Sequence, residues 1–172
     1  MGVRRRSKCA SKPELSERAG ALLSEYHQPV LVEKFLTGVE VTVGILGNGA
    51  DAEVVGMLEC APRLARQDEF IYSLEVKHNW REEVEYHVPP RLPPATLDAI
   101  RAVALAAYRA LGCRDVARVD TRLDETGRPQ FIEVNPLPGI NPVTGDLCIL
   151  ANRSGVTYER LIARIVEGAC VR

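Results

Sequence analysis

Two short segments of the chain carry polar residues whose types and spacing could bind a divalent cation. Arg118 and Asp120 lie on the first segment, and Glu133 and Asn135 lie on the second. Carboxylate and amide oxygens are hard ligands of the kind that Mg²⁺ takes, usually together with phosphate oxygens of a substrate. The same pattern is also typical of a solvated sheet face, on which Arg118 and Arg122 would neutralise the acids. The residues alone leave both interpretations open.

The alternation of apolar and polar residues predicts that these segments are two strands of a β-hairpin. Asp124 and Pro129 would flank a four-residue turn, since proline is tolerated at the first residue of a strand. Antiparallel pairing then places Asp120 opposite Glu133, and directly opposed like charges need a compensating cation. The same register pairs Arg118 with Asn135 and gives the other face of the hairpin its core residues, Ala117, Val119, Ile132 and Val134.

The composition argues against several classes of function. With 172 residues, of which 46% are hydrophobic and 26% are charged, the chain can bury the core of one domain or somewhat more. The net charge of −1 gives no electrostatic reason to bind nucleic acid or an anionic membrane. No apolar run reaches the ~20 residues that a membrane helix requires. The five cysteines are scattered and lack a CxxC pair, which indicates reduced thiols and a cytoplasmic location.

A wider pattern resembles a known family. An Arg-x-Asp strand, a Glu-x-Asn strand whose Glu133 follows Asp120 by thirteen residues, and a later Pro-Gly pair resemble the carboxy-terminal signature of the ATP-grasp ligases. The D-alanine–D-alanine ligases are the most similar group. The resemblance implies an α+β ATP-grasp fold, in which a mixed or antiparallel sheet packs against helices and a small lobe clasps the nucleotide. The implied activity is ATP- and Mg²⁺-dependent ligation of a carboxylate to an amine through an acyl phosphate, as in peptidoglycan synthesis.

The resemblance also implies roles for individual residues at the phosphates. Asp120, Glu133 and Asn135 would bind two Mg²⁺ ions, or Mn²⁺ in their place, with Glu133 as the bridging ligand. Arg118 and the backbone N–H of Gly139 would stabilise the oxyanion of the tetrahedral intermediate, because preorganised donors act on developing charge. Lys77 would contact the transferred phosphoryl group from an irregular loop that covers the phosphates. The alternative for Lys77 is a solvated side chain on a flexible loop.

A second segment, PVLVEKFLTGVEVTVGILGNG, resembles the part of these ligases that lines the adenine pocket. It is expected to form two strands broken at Thr37 and Gly38, the first with a buried run of Val30, Leu31 and Val32. The resemblance implies that Glu33 faces the exocyclic amine and that Glu40 accepts hydrogen bonds from the ribose hydroxyls. Backbone groups would bind the adenine edge at Lys34, Phe35 and Leu36. Without the resemblance, Glu33 and Glu40 would be ordinary surface acids.

The resemblance divides the chain into three parts: residues 1–60 as a partial small lobe, 61–84 as the loop over the phosphates, and 85–172 as the metal-binding lobe. Helices are expected after Ser11, from the Pro93–Pro94 pair to Gly112, and from Thr157 onward. Asp146 is expected to cap a short helix that starts at Leu147.

The acceptor region departs from the ligases that join two D-alanines. After Gly139, where those ligases have a serine and a leucine for the second substrate's carboxylate, this chain has Asn141, Pro142, Thr144, Gly145 and Asp146. An acid there would repel a carboxylate unless it is paired or turned away. This departure argues against D-alanine itself as the acceptor. The resemblance implies amino acids or dipeptide-like small molecules as substrates, with the acyl donor and the acceptor left open.

Three hypotheses follow for the chain as given. The first is the carboxy-terminal ATP-grasp portion of a ligase, and the second is a catalytically incomplete nucleotide-binding fragment or partner subunit of one. Either would have a homodimeric partner or an amino-terminal half elsewhere. The third is a purely structural α+β domain, in which the four polar residues of the hairpin coincide by chance.

Overall fold

Five antiparallel strands form one sheet at the centre of the protein. The computed structural model describes residues 3–170, and in that range the strands are β1 (Glu40–Leu46), β2 (Glu53–Pro62), β3 (Val84–His87), β4 (Val116–Leu123) and β5 (Pro129–Asn135). Their order across the sheet is β3-β2-β1-β4-β5. The helices are α1 (Lys12–Tyr26), α2 (Leu74–His78), α3 (Trp80–Glu83), α4 (Pro94–Ala110), α5 (Asp146–Arg153) and α6 (Tyr158–Cys170). Short 3₁₀ turns lie at Arg5–Ser7 and Gly49–Asp51.

One face of the sheet packs against α4. The fully buried side chains of Ile100, Ala104 and Tyr108 on α4 contact the apolar side chains of β1 and β4, including Val43 and Val119. The Tyr108 hydroxyl donates a hydrogen bond of 2.7 Å to the Gly47 carbonyl, so the helix is also tied to the loop after β1. This layer fixes the orientation of β4, which carries Arg118 and the predicted metal ligand Asp120.

The other face of the sheet is apolar at one end and polar at the other. At the apolar end, Gly44 and Gly56 are paired on β1 and β2 and have no side chains, so α5 lies directly on the strands. A Cβ at Gly44 would lie 2.7 Å from Leu150 Cδ1, which shows how close this approach is. Because Gly44 also pairs with Arg118 on β4, the first residue of α5 is brought near that arginine.

The register of the central hairpin is confirmed at its functional end. Asp120 pairs with Glu133, and Arg118 pairs with Asn135. The turn, however, is longer than predicted, because Leu123 already pairs with Pro129 and leaves residues 124–128 in the loop. A β-bulge at Ile132 restores the register, so the prediction that Ile132 belongs to the core is wrong: its side chain is 45% exposed.

The predicted strand over Val30–Val32 is not formed. Leu31 is 79% exposed and Val32 is 55% exposed, in a segment without regular structure. Within residues 3–170 no strand runs beside this segment, and a strand needs a neighbour for its backbone hydrogen bonds. Pairing begins only at Gly38, whose N–H donates to the Leu123 carbonyl.

The helix predictions are largely confirmed. The Ser11 hydroxyl caps α1 by accepting a hydrogen bond from the Glu14 N–H, and α1 ends at Tyr26 before His27 adopts a left-handed conformation. In the described range, α1 contributes no buried residue. The loop predicted over residues 61–84 is irregular only from Arg63 to Ser73, and α2 and α3 follow. The prediction that Lys77 lies on an irregular loop is therefore wrong, because Lys77 lies on α2.

The sheet runs through the three-part division predicted from the sequence. β1 and most of β2 fall in residues 1–60, yet β1 pairs directly with β4 of the third part. The division of the chain into lobes therefore stays a prediction. Among the described residues, no helix combines the length and the apolar character needed to cross a lipid bilayer.

Candidate nucleotide and metal site

Arg118 is the centre of the polar end of the sheet. Its Nη2 atom lies 2.8 Å from Asp120 Oδ2 and 3.7 Å from Glu133 Oε1, while Nη1 lies 3.2 Å from Asp146 Oδ2. Only 14% of the Arg118 side chain is exposed, so these contacts are formed largely out of water. One guanidinium therefore compensates the opposed carboxylates that the hairpin register brings together.

Asp120 is held rigidly, whereas Glu133 is not. Thr42 pairs with Asp120 across β1 and β4, and its hydroxyl donates a hydrogen bond of 2.8 Å to Asp120 Oδ1. Asp120 is buried, but the Glu133 side chain is 59% exposed. The pair thus combines one fixed carboxylate with one that can reorient toward a ligand.

The predicted metal ligands lie on one face of the hairpin. Asn135 follows Glu133 by two residues on β5, and its Oδ1 accepts a hydrogen bond of 3.1 Å from the Leu137 N–H. Within the described part of the chain, no group of three or more His, Cys, Asp or Glu side chains is arranged to hold a metal ion. The predicted set instead has two carboxylates and one amide, all hard oxygen donors, and that chemistry fits Mg²⁺.

Asp146 has a role that the sequence did not indicate. The residue at the N-cap of α5 is Gly145, so the prediction that Asp146 caps this helix is wrong. Its carboxylate instead turns toward Arg118 and accepts a hydrogen bond of 3.2 Å from the Tyr86 hydroxyl. Burial raises the pKa of Asp146, and the Arg118 charge opposes that rise. The Asp146 carboxylate is therefore paired with the Arg118 guanidinium.

Tyr86 connects Asp146 to the loop over the site. Its hydroxyl shares a hydrogen bond with the Tyr72 hydroxyl, and its ring stacks on Trp80 with centroids 5.3 Å apart. Lys77 lies on α2 with Nζ 4.9 Å from the centroid of the Tyr72 ring. No motif marked Tyr72 or Tyr86, because their partners are distant in the sequence.

A cavity of about 350 Å³ brings two predicted catalytic residues together. Lys77 and Arg118 both line it. Its other walls are formed by Tyr72, His78, Trp80, Tyr86, Thr144 and Asp146.

Gly139 lies on the loop between β5 and α5. The Gly139 carbonyl would be 2.5 Å from a Cβ placed on Gly145, so the loop packs closely on the start of α5. The Gly145 N–H also donates a hydrogen bond of 2.9 Å to the Asn141 carbonyl. Gly139 itself is exposed. The loop is thus anchored beside Asp146, and the role of the Gly139 N–H at an oxyanion stays a prediction.

Glu40, at the start of β1, is an acid whose side chain is largely buried. Its Oε2 lies 3.5 Å from Arg122 Nη1, and 16% of its side chain is exposed. Burial raises its pKa to about 7, although the Arg122 charge opposes the rise. Arg122 is itself fixed by hydrogen bonds to the carbonyls of Gly38 (3.1 Å) and Phe70 (2.7 Å). The interpretation of Glu40 as an ordinary surface acid is therefore wrong.

The predicted adenine segment is only partly next to Glu40. The Phe35 ring lies against the Arg122 guanidinium, with 4.9 Å from Cζ to the ring centroid. Lys34 points elsewhere and forms an exposed ion pair of 2.6 Å with Glu125 in the hairpin turn. Glu33 is exposed and Leu36 is half-buried. The structure thus places Phe35 beside the Glu40–Arg122 pair, while binding of adenine by this segment stays a prediction.

Comparison with known proteins identifies the family. The family model described as "D-ala D-ala ligase C-terminus" matches residues 2–167. The chain belongs to this family. It is 34% identical over 153 residues to a D-alanine–D-alanine ligase of Pelotomaculum thermopropionicum, covering 88% of this chain and 46% of the relative. It is 37% identical to one of Methylibium petroleiphilum, covering 87% and 45%. The chain thus spans about half the length of the curated relatives it matches.

A solved structure supports the fold assignment. The D-alanine–D-alanine ligase of Bacillus anthracis complexed with ATP matches with a TM-score of 0.72 at 24% identity, over 93% of this chain and 47% of that one. The predicted α+β ATP-grasp fold is confirmed, with a sheet that is antiparallel throughout.

Proposed function

We propose that this chain is the carboxy-terminal ATP-grasp portion of an ATP- and Mg²⁺-dependent ligase that joins a carboxylate to an amine through an acyl phosphate. The observation that carries the proposal is the bridging of Asp120 and Glu133 by Arg118, on adjacent strands of a chain that belongs to this ligase family. A location in the cytoplasm is expected, since ATP is the energy source.

The nucleotide would lie along the polar end of the sheet, between the Glu40–Arg122 pair and the cavity with Lys77. ATP binding by the Bacillus anthracis ligase supports this choice of nucleotide. Backbone groups at Lys34, Phe35 and Leu36, with Glu33, would bind the adenine. Glu40 would accept hydrogen bonds from the ribose hydroxyls, which is favourable because a carboxylate is a strong acceptor.

Asp120, Glu133 and Asn135 would hold Mg²⁺, or Mn²⁺ in its place. When bound, the metal would neutralise phosphate oxygens and orient them for in-line transfer. Asp120 is already oriented by the Thr42 hydroxyl, so its carboxylate needs little rearrangement. The exposed Glu133 carboxylate can move away from Arg118, at 3.7 Å, at small energetic cost.

Arg118, Lys77 and the Gly139 N–H would supply positive charge and donors at the reacting groups. That Arg118 and Lys77 line the same cavity supports these two roles. Donors fixed before the reaction stabilise developing charge without reorganisation, which is where most of the catalytic effect arises.

A second candidate function is a catalytically incomplete nucleotide-binding portion or partner subunit. The coverage of 46% of the Pelotomaculum relative favours it for this chain alone. The exposure of Leu31 and Val32 is a further argument, because these residues have strand-forming side chains but no strand beside them in the described range.

Product formation separates the two functions. The purified chain would be incubated with ATP, Mg²⁺ and mixtures of small amino acids, with ADP measured by a coupled assay and ligated product by mass spectrometry. The first function predicts amino-acid-dependent ADP release that Arg118→Ala abolishes. ADP binding without any product would support the second function instead.

A further inference from the structure

A cavity opens beside Arg118, the arginine that the proposed function assigns to the reacting oxyanion. It measures about 350 Å³, which suits a small amino acid or amine better than a long peptide. Asp146 and Thr144 form the wall next to Arg118, and Lys77 and His78 lie on the same cavity. The charges and hydrogen-bonding groups of this wall therefore determine which acceptor can enter.

Arg118 already contacts three carboxylates. Its single positive charge is shared by Asp120 at 2.8 Å, Asp146 at 3.2 Å and Glu133 at 3.7 Å. Even if Asp120 and Glu133 became neutralised by another cation, Asp146 would still contact Nη1. A free carboxylate approaching Arg118 would lie against a carboxylate that already occupies that edge of the guanidinium.

Asp146 cannot easily turn away. Its second oxygen accepts a hydrogen bond of 3.2 Å from Tyr86, whose ring is stacked on Trp80. Its backbone begins α5, whose Leu150 side chain packs closely on Gly44 and Gly56. Lys77, which also lines the cavity, has its Nζ atom 4.9 Å from the centroid of the Tyr72 ring.

We propose that Asp146 makes this cavity select an amine acceptor whose group beside Arg118 is uncharged or a hydrogen-bond donor, such as an amino-acid amide or a simple amine, and reject one with a free α-carboxylate. The inference rests on the proposed function, since it assumes that the amine enters here. Although Asp146 is paired with Arg118, its carboxylate occupies the edge of the guanidinium that a substrate carboxylate would need. An amide or ammonium group can instead donate a hydrogen bond to Asp146.

Two probes of nearly equal shape test the proposal. D-alanine has a charged carboxylate where D-alaninamide has an uncharged carboxamide, and both molecules carry the amine. Their dissociation constants would be measured by ligand-observed NMR on the full chain with ADP and Mg²⁺ present, after calorimetry on the same sample has measured nucleotide binding. The parent chain should bind D-alaninamide about tenfold or more tightly than D-alanine.

Asp146→Asn should reduce this preference to about twofold or less, because the amide keeps the size of the side chain and removes its charge. The amide NH₂ group cannot accept a hydrogen bond, so one of the two bonds that the carboxylate accepts from Arg118 and Tyr86 is lost. Asp98→Asn, on the exposed face of α4, is the matched control and should retain the parent's preference. Equal or tighter binding of D-alanine by the parent overturns the proposal, and this result does not depend on whether Asp146→Asn folds.

The remaining outcomes are also decisive. An unchanged preference in a folded Asp146→Asn chain overturns the role of Asp146. If neither D-alanine nor D-alaninamide binds to the nucleotide-loaded protein, the assignment of the cavity to the acceptor is overturned, but the proposed function stands. Absence of nucleotide binding in the same sample counts against the proposed function itself, and the inference falls with it.

Discussion

Glu40 should make the stability of the protein depend on pH in a direction opposite to most carboxylates. Burial raises its pKa from 4.5 to about 7. Between these two values the folded chain keeps a proton on Glu40 that the unfolded chain has lost. The free energy of unfolding therefore falls as the pH rises from 4.5 to 7, and the contribution of Glu40 is constant above that range.

The size of the effect follows from the pKa difference. Each pKa unit corresponds to about 1.4 kcal/mol, so the change from 4.5 to about 7 costs the folded state ~3 kcal/mol at pH 8. The 16% exposure of the side chain means that solvent screening removes little of this cost. The Arg122 ion pair at 3.5 Å is already included in the raised pKa.

Urea unfolding at pH 5 and pH 8 measures this contribution. Glu40→Gln keeps the shape and removes the titration, so its stability relative to the parent should improve by roughly 2.5 kcal/mol between pH 5 and pH 8, because a small part of the effect is already present at pH 5. Glu33→Gln, a nearby exposed acid, is the control and should follow the parent. If the parent and Glu40→Gln lose stability equally between pH 5 and pH 8, then Glu40 is not a buried, protonated acid.

Three further changes test other parts of the structure. In any preparation that shows turnover, Arg118→Ala should lower kcat by roughly 100-fold or more with little change in ADP affinity, and an equal loss in both would refute its role at the oxyanion. Gly44→Val should lower the free energy of unfolding by about 1–3 kcal/mol, because its Cβ would lie 2.7 Å from Leu150 Cδ1. Gly20→Ala, which has open space in α1, should instead raise it by up to ~1 kcal/mol, and a similar loss in both would refute the packing argument. Tyr108→Phe should cost about 1 kcal/mol in urea unfolding, because its hydroxyl loses the hydrogen bond to the Gly47 carbonyl; no loss would show that water replaces this bond equally well.

Local alternation was enough to predict the functional end of the hairpin. Because side chains alternate between faces, a register that buries Val119 and Val134 must also place Asp120 beside Glu133. The β-bulge at Ile132 could not be predicted, since one extra residue in the turn and one in the strand compensate each other. The periodicity of the sequence shows only the net register, and that register is the same with both extra residues as with neither.

Contacts between distant segments account for what the sequence did not show. The Asp146–Arg118 pair depends on how closely α5 approaches β1, which two glycines on separate strands permit. The hydrogen bond between the Tyr86 hydroxyl and Asp146 joins residues that are 60 positions apart. The missing strand at Val32 has the opposite cause: its sequence favours a strand, but within the described residues no neighbouring strand completes it.

The central claim is that the acids beside Arg118 form a metal-dependent nucleotide site. Calorimetric titration of the chain with ADP, with and without Mg²⁺, tests it most directly, beside an Asp120→Asn, Glu133→Gln double variant and the Asp98→Asn control. We predict binding that requires Mg²⁺, is lost in the double variant and is unchanged in the control. Failure of a cooperatively folded parent chain to bind ADP, or binding that depends neither on Mg²⁺ nor on these two acids, would contradict the account.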